Sequence, residues 1–369
     1  MHSKRIIISG GGTGGHIYPA IAIATALKDQ DPSLEFLFVG AEGKMEMEKV
    51  PKAGFKIQGL PIVGINRQHM AKNLLFPFKL IQSLWKAFQI IANFKPDVAI
   101  GVGGYASGPM LIAAWIKGIP FYIQEQNSFA GITNKALSSK ATHIFVAYSG
   151  MEKFFGTGKI TRSGNPVRKD LINLAGKKEK ACAFFGLDAT KKTILVIGGS
   201  QGARSINLAI KHGLSQLAQA DVQLIWQTGV SFENEAKNTS EGVNGLKSYV
   251  SAFIYEMDLA YAMADLVVSR AGALSVSEIC LAGKPSVLVP FPNASEDHQT
   301  ENAKSLVNNG AARLVLDVNA QADLVPTALT TLADTTTLTE LGLQSLALGK
   351  PNAATEIAQA ILNDMNTCA

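Results

Sequence analysis

The sequence predicts an α/β protein made of two doubly wound parallel sheets in tandem. Three observations carry that expectation. Its short apolar runs are continuous rather than alternating, as strands buried on both faces must be. Each run leads into a glycine-rich turn and then a helical stretch, the order of a parallel sheet with crossover helices. Finally, the pattern restarts: Gly10 and Gly198 open equivalent turns 188 positions apart in a chain of 369. At roughly 150 residues per domain, that length accommodates two Rossmann-like domains.

Taken in order, Arg5 to Ser9 is a β-branched strand, Gly10 to Gly15 and His16 its turn, and Ile17 to Lys28 a helix with apolar residues at helical spacing. Leu34–Val39, Val98–Gly101, Phe121–Ile123 and His143–Val146 read as further buried strands. Gly164-Asn165-Pro166-Val167-Arg168 is the expected join, because proline stops regular structure there. This bounds an N-terminal domain at residues 1–164 and a C-terminal one at 165–350, with a cleft between them. The second domain begins with Thr193–Ile197, the turn Gly198 to Arg204 and a helix from Ser205. Its remaining strands are expected at Leu224–Trp226, Tyr249–Phe253, Leu266–Ser269, Ser286–Val289 and Ala312–Leu316. From Pro351 a final helix places Ala354, Ile357, Ala358 and Ile361 on one face.

Composition narrows the class. Hydrophobic residues at 47% and charged residues at 17% exclude disorder as the main state. Cys182, Cys280 and Cys368 lie far apart, without the spacing of a zinc site or a disulfide framework, which suits a reducing cytoplasm. Residues 1–9 carry only Ile6 to Ile8 as an apolar run, too short for a secretion signal, which needs about 7–15. No run approaches the roughly 18 apolar residues that span a bilayer, so a soluble or membrane-surface protein is expected.

The net charge of +5 is uneven. Lys49, Lys52, Lys56, Arg67, Lys72, Lys79, Lys86 and Lys95 fall in a stretch without any acid, and the remainder holds 26 basic and 29 acidic residues. One basic face calls for an anionic partner. Between Lys72 and Lys95 these lysines are interleaved with Leu74, Leu75, Phe76, Phe78, Leu80, Ile81, Leu84, Trp85, Phe88, Ile90, Ile91 and Phe94. Lys72, Lys79 and Lys86 recur every seven residues, nearly one stripe of a helix that Pro77 is expected to interrupt. Aromatics beside lysines suit an anionic membrane surface rather than a nucleic acid. The alternative is that these apolar groups pack on the first sheet, and both can hold at once.

Several turns could carry chemistry. Gly10 to Gly15 fits G-x-G-x-x-G at a strand-to-helix turn, where N–H groups and the helix dipole favour a phosphate. A nicotinamide or flavin site is disfavoured: the second strand ends Phe38-Val39-Gly40, and Glu42 is its sole acidic candidate. His16, at the carboxyl edge where open α/β sheets bind ligands, is a candidate general base or else a capping histidine. Gly101 to Pro109 is another glycine-rich turn, and Glu125-Gln126-Asn127 follows its own strand directly. Arg270 to Glu278 sets a carboxylate near a helix start. Glu278 either closes a capping box with Ser275 or accepts ribose hydroxyls. His298 and Gln299 follow the next strand and could hydrogen-bond a sugar, a weak signal taken alone. No carboxylate–histidine cluster has metal spacing, so no metal and no cofactor is expected.

At this point the residues resemble a known family. Its pattern is Gly-Gly-Thr-Gly-Gly-His (11–16), Gly-Gly-Tyr-x-Ser-Gly-Pro (103–109), Glu-Gln-Asn (125–127) and Gly-Asn-Pro-Val-Arg (164–168). Gly-Gly-Ser-Gln-Gly-Ala-Arg (198–204), Arg-x-Gly-Ala-x-x-x-x-Glu (270–278) and Asp-His-Gln-Thr-x-Asn-Ala (297–303) continue it in register. Together they are similar to the MurG family of bacterial peptidoglycan glycosyltransferases. One departure is Gln124, where the family more often has histidine.

The resemblance implies a GT-B fold, two Rossmann-like domains with the last helix (351–369) packing back on the first. It implies an inverting transfer of N-acetylglucosamine from UDP-N-acetylglucosamine to the 4-hydroxyl of undecaprenyl-pyrophosphoryl-N-acetylmuramyl-pentapeptide. By residue match, Ser200, Ile254, Ala273, Leu274, Ser275, Val276, Ser277, Glu278 and Gln299 would contact the donor. Thr13, Gly14, Gly15, Asn127 and Arg168 would complete the site. His16 is the candidate base and Glu125 the runner-up. The implied place is the cytoplasmic face of the inner membrane, held peripherally, alongside other cell-wall synthesis proteins. A different GT-B transferase, a sugar-nucleotide epimerase of the same fold and a non-enzymatic nucleotide-binding module are the competing classes.

Overall fold

The computed structural model describes residues 3–64, 76–156, 159–167, 171–199, 201–292, 294 and 297–367. Arg67, Lys72, Leu74, Leu75, Arg168, Ser200 and Cys368 lie outside the described residues. The chain divides into two compact units, Met1–Val167 with Asn352–Ala369, and Arg168–Pro351.

The first unit alternates strand and helix: β1 (Arg5–Ser9), α1 (Gly14–Gln30), β2 (Glu35–Ala41), α2 (Glu46–Lys52), β3 (Lys56–Leu60), α3 (Phe76–Phe94) and β4 (Val98–Gly101). It continues with α4 (Ser107–Ile116), β5 (Phe121–Glu125), α5 (Ile132–Leu137), β6 (His143–Val146), α6 (Glu152–Phe155) and β7 (Ile160–Arg162). The second unit holds α7 (Lys178–Phe185), β8 (Thr193–Ile197), α8 (Arg204–Gln219), β9 (Gln223–Gln227), α9 (Glu233–Glu241), β10 (Ser248–Ser251) and α10 (Met257–Met263). Then follow β11 (Leu266–Ser269), α11 (Ala273–Leu281), β12 (Ser286–Leu288), α12 (His298–Val307), β13 (Arg313–Leu314), α13 (Ala320–Ala333) and α14 (Thr335–Leu348). The closing helix α15 (Ala353–Thr367) belongs to the first unit.

Strand order is β3-β2-β1-β4-β5-β6-β7 in one sheet and β10-β9-β8-β11-β12-β13 in the other, and every pairing is parallel. Both are doubly wound sheets. In each, the first strand in sequence lies centrally, so chain reversal beside it opens a crevice at the carboxyl edge. The central strands Ile6–Ile8 and Ile194–Val196 are fully buried, which is why they read as unbroken apolar runs.

Two strands escaped the sequence reading. β3 mixes Lys56 and Gln58 with Gly59, and β7 has three residues; both stand at a sheet edge, where one side needs no burial. Pro77 does not interrupt α3, because it falls in that helix's first turn, where a missing N–H costs nothing.

The closing helix packs on α1 through Ile357, Ala358, Ile361 and Met365, buried in one cluster with Ile17, Ile23 and Leu27. Lys4 donates to the Met365 carbonyl at 2.9 Å, and Tyr122 hydroxyl meets Asp364 at 3.2 Å. Ile361→Ala should therefore destabilise the first unit by about 2–5 kcal/mol, as large-to-small core changes do. An earlier urea transition checks it, and an unchanged midpoint would remove α15 from the core.

Candidate functional site

In the first unit the chemistry gathers at the carboxyl ends of β1, β4 and β5. Thr13 is extended backbone at the N-cap of α1, and its hydroxyl lies 3.1 Å from His16 Nδ1. The His16 ring stands against the β4 turn: a Cβ placed on Gly103 would come within 3.0 Å of Cδ2 and 3.1 Å of Nε2. The same point lies 3.7 Å from Asn134 Nδ2. Only glycine at 103 lets the imidazole and α5 approach so closely. The β1 and β4 turns interlock further, since a Cβ on Gly104 would overlap the Gly11 carbonyl.

Glu125 is turned inward. It is 2% exposed. Oε1 accepts from the Asn127 backbone N–H at 3.1 Å; Oε2 accepts from Gly131 N–H at 2.9 Å and Asn134 Nδ2 at 2.9 Å. Burial pushes its pKa up, while the donors of Gly131, Asn127 and Asn134 pull the other way. Those bonds fold the loop 126–131 over the carboxylate and bring Asn127 to the edge. Asn134 was not singled out from sequence; it links Glu125 to the His16 neighbourhood, and its buried Oδ1 has no partner.

Gln124 is fully buried behind this loop. Its amide donates to Asn165 Oδ1 at 3.1 Å, and Gln126 donates to Gln124 Oε1 and to the Val102 carbonyl. Asn165 Nδ2 returns to the Gln126 carbonyl at 3.0 Å. The residue at 124 therefore braces the β5 turn from inside rather than facing a ligand.

In the second unit α11 starts at the carboxyl end of β11, with Gly272 as its N-cap in extended conformation. Ala273, Leu274, Ser275, Val276 and Ser277 form its first turns, and Glu278 follows, half-buried, in the second turn. The capping box is thereby excluded: Ser275 is inside the helix, three residues past the N-cap where that motif requires it, and Gly272 carries no side chain to reciprocate. Asn302 donates to the Ala271 carbonyl at 3.2 Å and steadies the turn. On α12, Gln299 Oε1 accepts from Phe291 N–H at 3.0 Å. Ile254 is buried, and its N–H donates to Gln227 Oε1 at 3.0 Å, while Gln227 Nε2 holds the Gly199 carbonyl. Among the described residues, no three His, Cys, Asp or Glu side chains gather as a metal site.

Two parallel-sheet units, each with glycine turns and polar side chains at its carboxyl edge, define a GT-B glycosyltransferase fold. Residues 6–146 match the glycosyltransferase family 28 N-terminal domain and residues 193–358 its C-terminal domain; the chain belongs to this family. It is 53% identical over 362 residues to a Parabacteroides distasonis protein, with 98% of each chain covered. That relative is named UDP-N-acetylglucosamine--N-acetylmuramyl-(pentapeptide) pyrophosphoryl-undecaprenol N-acetylglucosamine transferase. The fold of the present chain matches the crystal structure of Acinetobacter baumannii MurG at a TM-score of 0.80 and 29% identity, covering 98% of this chain and 99% of that one. A UDP-GlcNAc 2-epimerase from Neisseria meningitidis, at TM-score 0.67 and 14% identity over 98% and 100%, shares the fold alone.

Glu125→Gln should loosen the 126–131 loop, because an amide nitrogen would face the Gly131 or Asn134 donors. Leaving a buried donor unmet costs about 1–3 kcal/mol. Faster amide exchange at Gly131, with the β-sheet amides unchanged, is the expected sign.

Proposed function

We propose that this chain transfers N-acetylglucosamine from UDP-N-acetylglucosamine to the 4-hydroxyl of lipid-linked N-acetylmuramyl-pentapeptide, inverting the anomeric centre. The carrying observation is the likeness to the named transferase of P. distasonis along almost the whole of both chains. That likeness sets the epimerase reading aside, since the epimerase shares only the fold.

The donor belongs to the second unit in this reading. The N-terminal dipole of α11 faces the diphosphate, and its fixed N–H groups favour the charge that grows on the leaving UDP. Glu278, in the second turn of α11, accepts the two ribose hydroxyls. Because the Ile254 N–H is engaged with Gln227, the uracil edge is read by the Ile254 carbonyl, which suits the uracil N3–H donor. Gln299 contacts the sugar. Ser200 and Arg168 lie outside the described residues and remain part of the proposal on residue match alone.

The first unit supplies His16, and Thr13, Gly14, Gly15 and Asn127 complete the donor site from this side. His16 takes the proton of the attacking hydroxyl. Glu125 is the weaker candidate because both its oxygens already accept N–H donors and it is sealed from solvent.

The acceptor's lipid tail requires the enzyme to come to the bilayer. Among the described residues no helix is long and apolar enough to cross it. We infer that α3 lies on an anionic leaflet on the cytoplasmic side. Phe78, Ile81 and Trp85 are 72%, 65% and 63% exposed along one stripe, while Ile90 and Ile91 are buried in the core. Trp115 and Ile116 at the end of α4 are also exposed, with Lys140 5.1 Å from the Trp115 ring. Lys86 is 2.7 Å from Glu42, so Lys79 and Lys140 carry more of the attraction, each worth about 1 kcal/mol at an anionic surface. Contact with other cell-wall proteins is part of the same reading.

Transfer of labelled N-acetylglucosamine to the lipid-linked acceptor tests the activity. Glu278→Ala should weaken donor binding about ten- to hundredfold, the loss of hydrogen bonds to a charged group. His16→Ala should lower turnover about 10²–10⁴-fold with less effect on binding. Normal turnover at saturation would move the base elsewhere.

Vesicle co-sedimentation tests the surface. Binding should need anionic lipid, fall with salt, and be lost when Phe78, Ile81 and Trp85 are all changed to Glu; retention by that variant would place the contact elsewhere.

A further inference from the structure

The first glycine turn has the form of an anion cradle, but its N–H groups already hold an anion from the chain itself. Glu46, the first residue of α2, is 1% exposed. Its Oε1 accepts from Gly12 N–H at 3.1 Å and Ala41 N–H at 3.0 Å, and its Oε2 also lies 3.1 Å from Gly12 N. The side chain fills the space that Cβ atoms on Gly11 and Gly40 would need. Gly11 and Gly12 have φ of +155° and +90°, so this course of the turn is closed to most side chains.

The held turn is the one that carries the active edge. One residue beyond Gly12 stands Thr13, whose hydroxyl meets His16 Nδ1. On its other side the turn rests on Tyr105: a Cβ on Gly12 would sit 2.9 Å from that ring. Burial raises the Tyr105 hydroxyl pKa, and the Glu46 charge adds to the effect, so the two groups are electrostatic neighbours. The turn is thus clamped between a carboxylate and an aromatic ring. A carboxylate in this cradle also repels a second anion, which leaves the donor diphosphate to the second unit.

We infer that Glu46 is a positioning residue for the transfer reaction, its carboxylate setting, through Gly12 and Ala41, where Thr13 and His16 stand. The inference rests on the proposed transferase reading but not on His16 being the base. Misplacing reacting groups by about 1 Å can cost on the order of a hundredfold in rate. Glu46→Ala should therefore lower kcat about ten- to hundredfold with both substrates saturating. The Kd for UDP-N-acetylglucosamine, measured by calorimetry, should weaken less than kcat falls, because most donor contacts belong to the second unit and the carboxylate holds only the Gly12 and Ala41 N–H groups. Glu46→Gln keeps an oxygen able to accept from both N–H groups and should recover most of the lost turnover. If Glu46→Ala does not fold, Glu46→Asp, one methylene short of both donors, takes its place with the same expected loss.

A near-normal kcat in the folded Ala or Asp variant overturns the inference. So does a donor Kd that weakens in step with kcat, or a Gln variant as slow as Ala. Absence of transfer by the unaltered chain would sink the transferase reading itself. Full turnover in His16→Ala with loss in Glu46→Ala would sink only the choice of base.

Discussion

The close approach of turns that have no room for a Cβ governs both units. A parallel sheet delivers every strand end to one edge, and chemistry there depends on how tightly neighbouring turns pack. In the first unit the β1 turn interlocks with the β4 turn through Gly11, Gly103 and Gly104. In the second, a Cβ on Gly202 would overlap the Thr228 carbonyl, and one on Gly229 the Gln201 carbonyl, so the β8 turn interlocks with the β9 turn. The two units share a sheet order around the first strand but close opposite sides of it. The first leaves the β2 side to be filled by Glu46; the second leaves the β11 side, where a Cβ on Gly272 would meet only Ser275 Oγ at 3.8 Å. That difference leaves one edge built on side chains and the other on a helix N-terminus.

Strands were legible wherever both faces are buried. β1, β4, β6, β8 and β11 carry the bounds that their apolar runs suggest, because total burial forbids polar interruptions. β3 and β7 were illegible for the complementary reason: edge strands satisfy one side with solvent and need no such run. The turns were legible from glycine, since no other residue permits the approaches at 103 and 104. The roles of acidic residues were not. Ser275 and Glu278 match a capping box in sequence, yet α11 begins at Ala273, so an i, i+3 pattern without a fixed helix start says little. Glu46 carries no local signal, because its partners Gly12 and Ala41 come from other elements. The stretch from Lys72 to Lys95 was legible as amphipathic, but not which lysines are engaged: the Glu42 partner of Lys86 sits 44 positions away.

Glu46 and Glu125 are buried carboxylates that organise the turns around them. Each sits at a strand-to-helix edge, each is almost wholly buried, and each accepts backbone N–H donors from a turn it does not belong to or has just left. A carboxylate removed from water needs such donors, so it selects the loop conformation that supplies them. The result is a pair of clamps, one holding Gly12 and the other Gly131, on either side of the β4 turn.

His16 stands between those clamps, and its surroundings follow from them. Asn134, held by Glu125, approaches the point beside Gly103 where the imidazole also packs, while Thr13, held through Gly12, meets Nδ1. The Thr13 hydroxyl holds the ring at Nδ1 and directs the other nitrogen, and as both donor and acceptor it serves either tautomer. Neither clamp needs to touch a substrate for this to hold. Precision at the reacting atom can thus be supplied by groups sealed in the core, provided the turn they grip has too little freedom to relax.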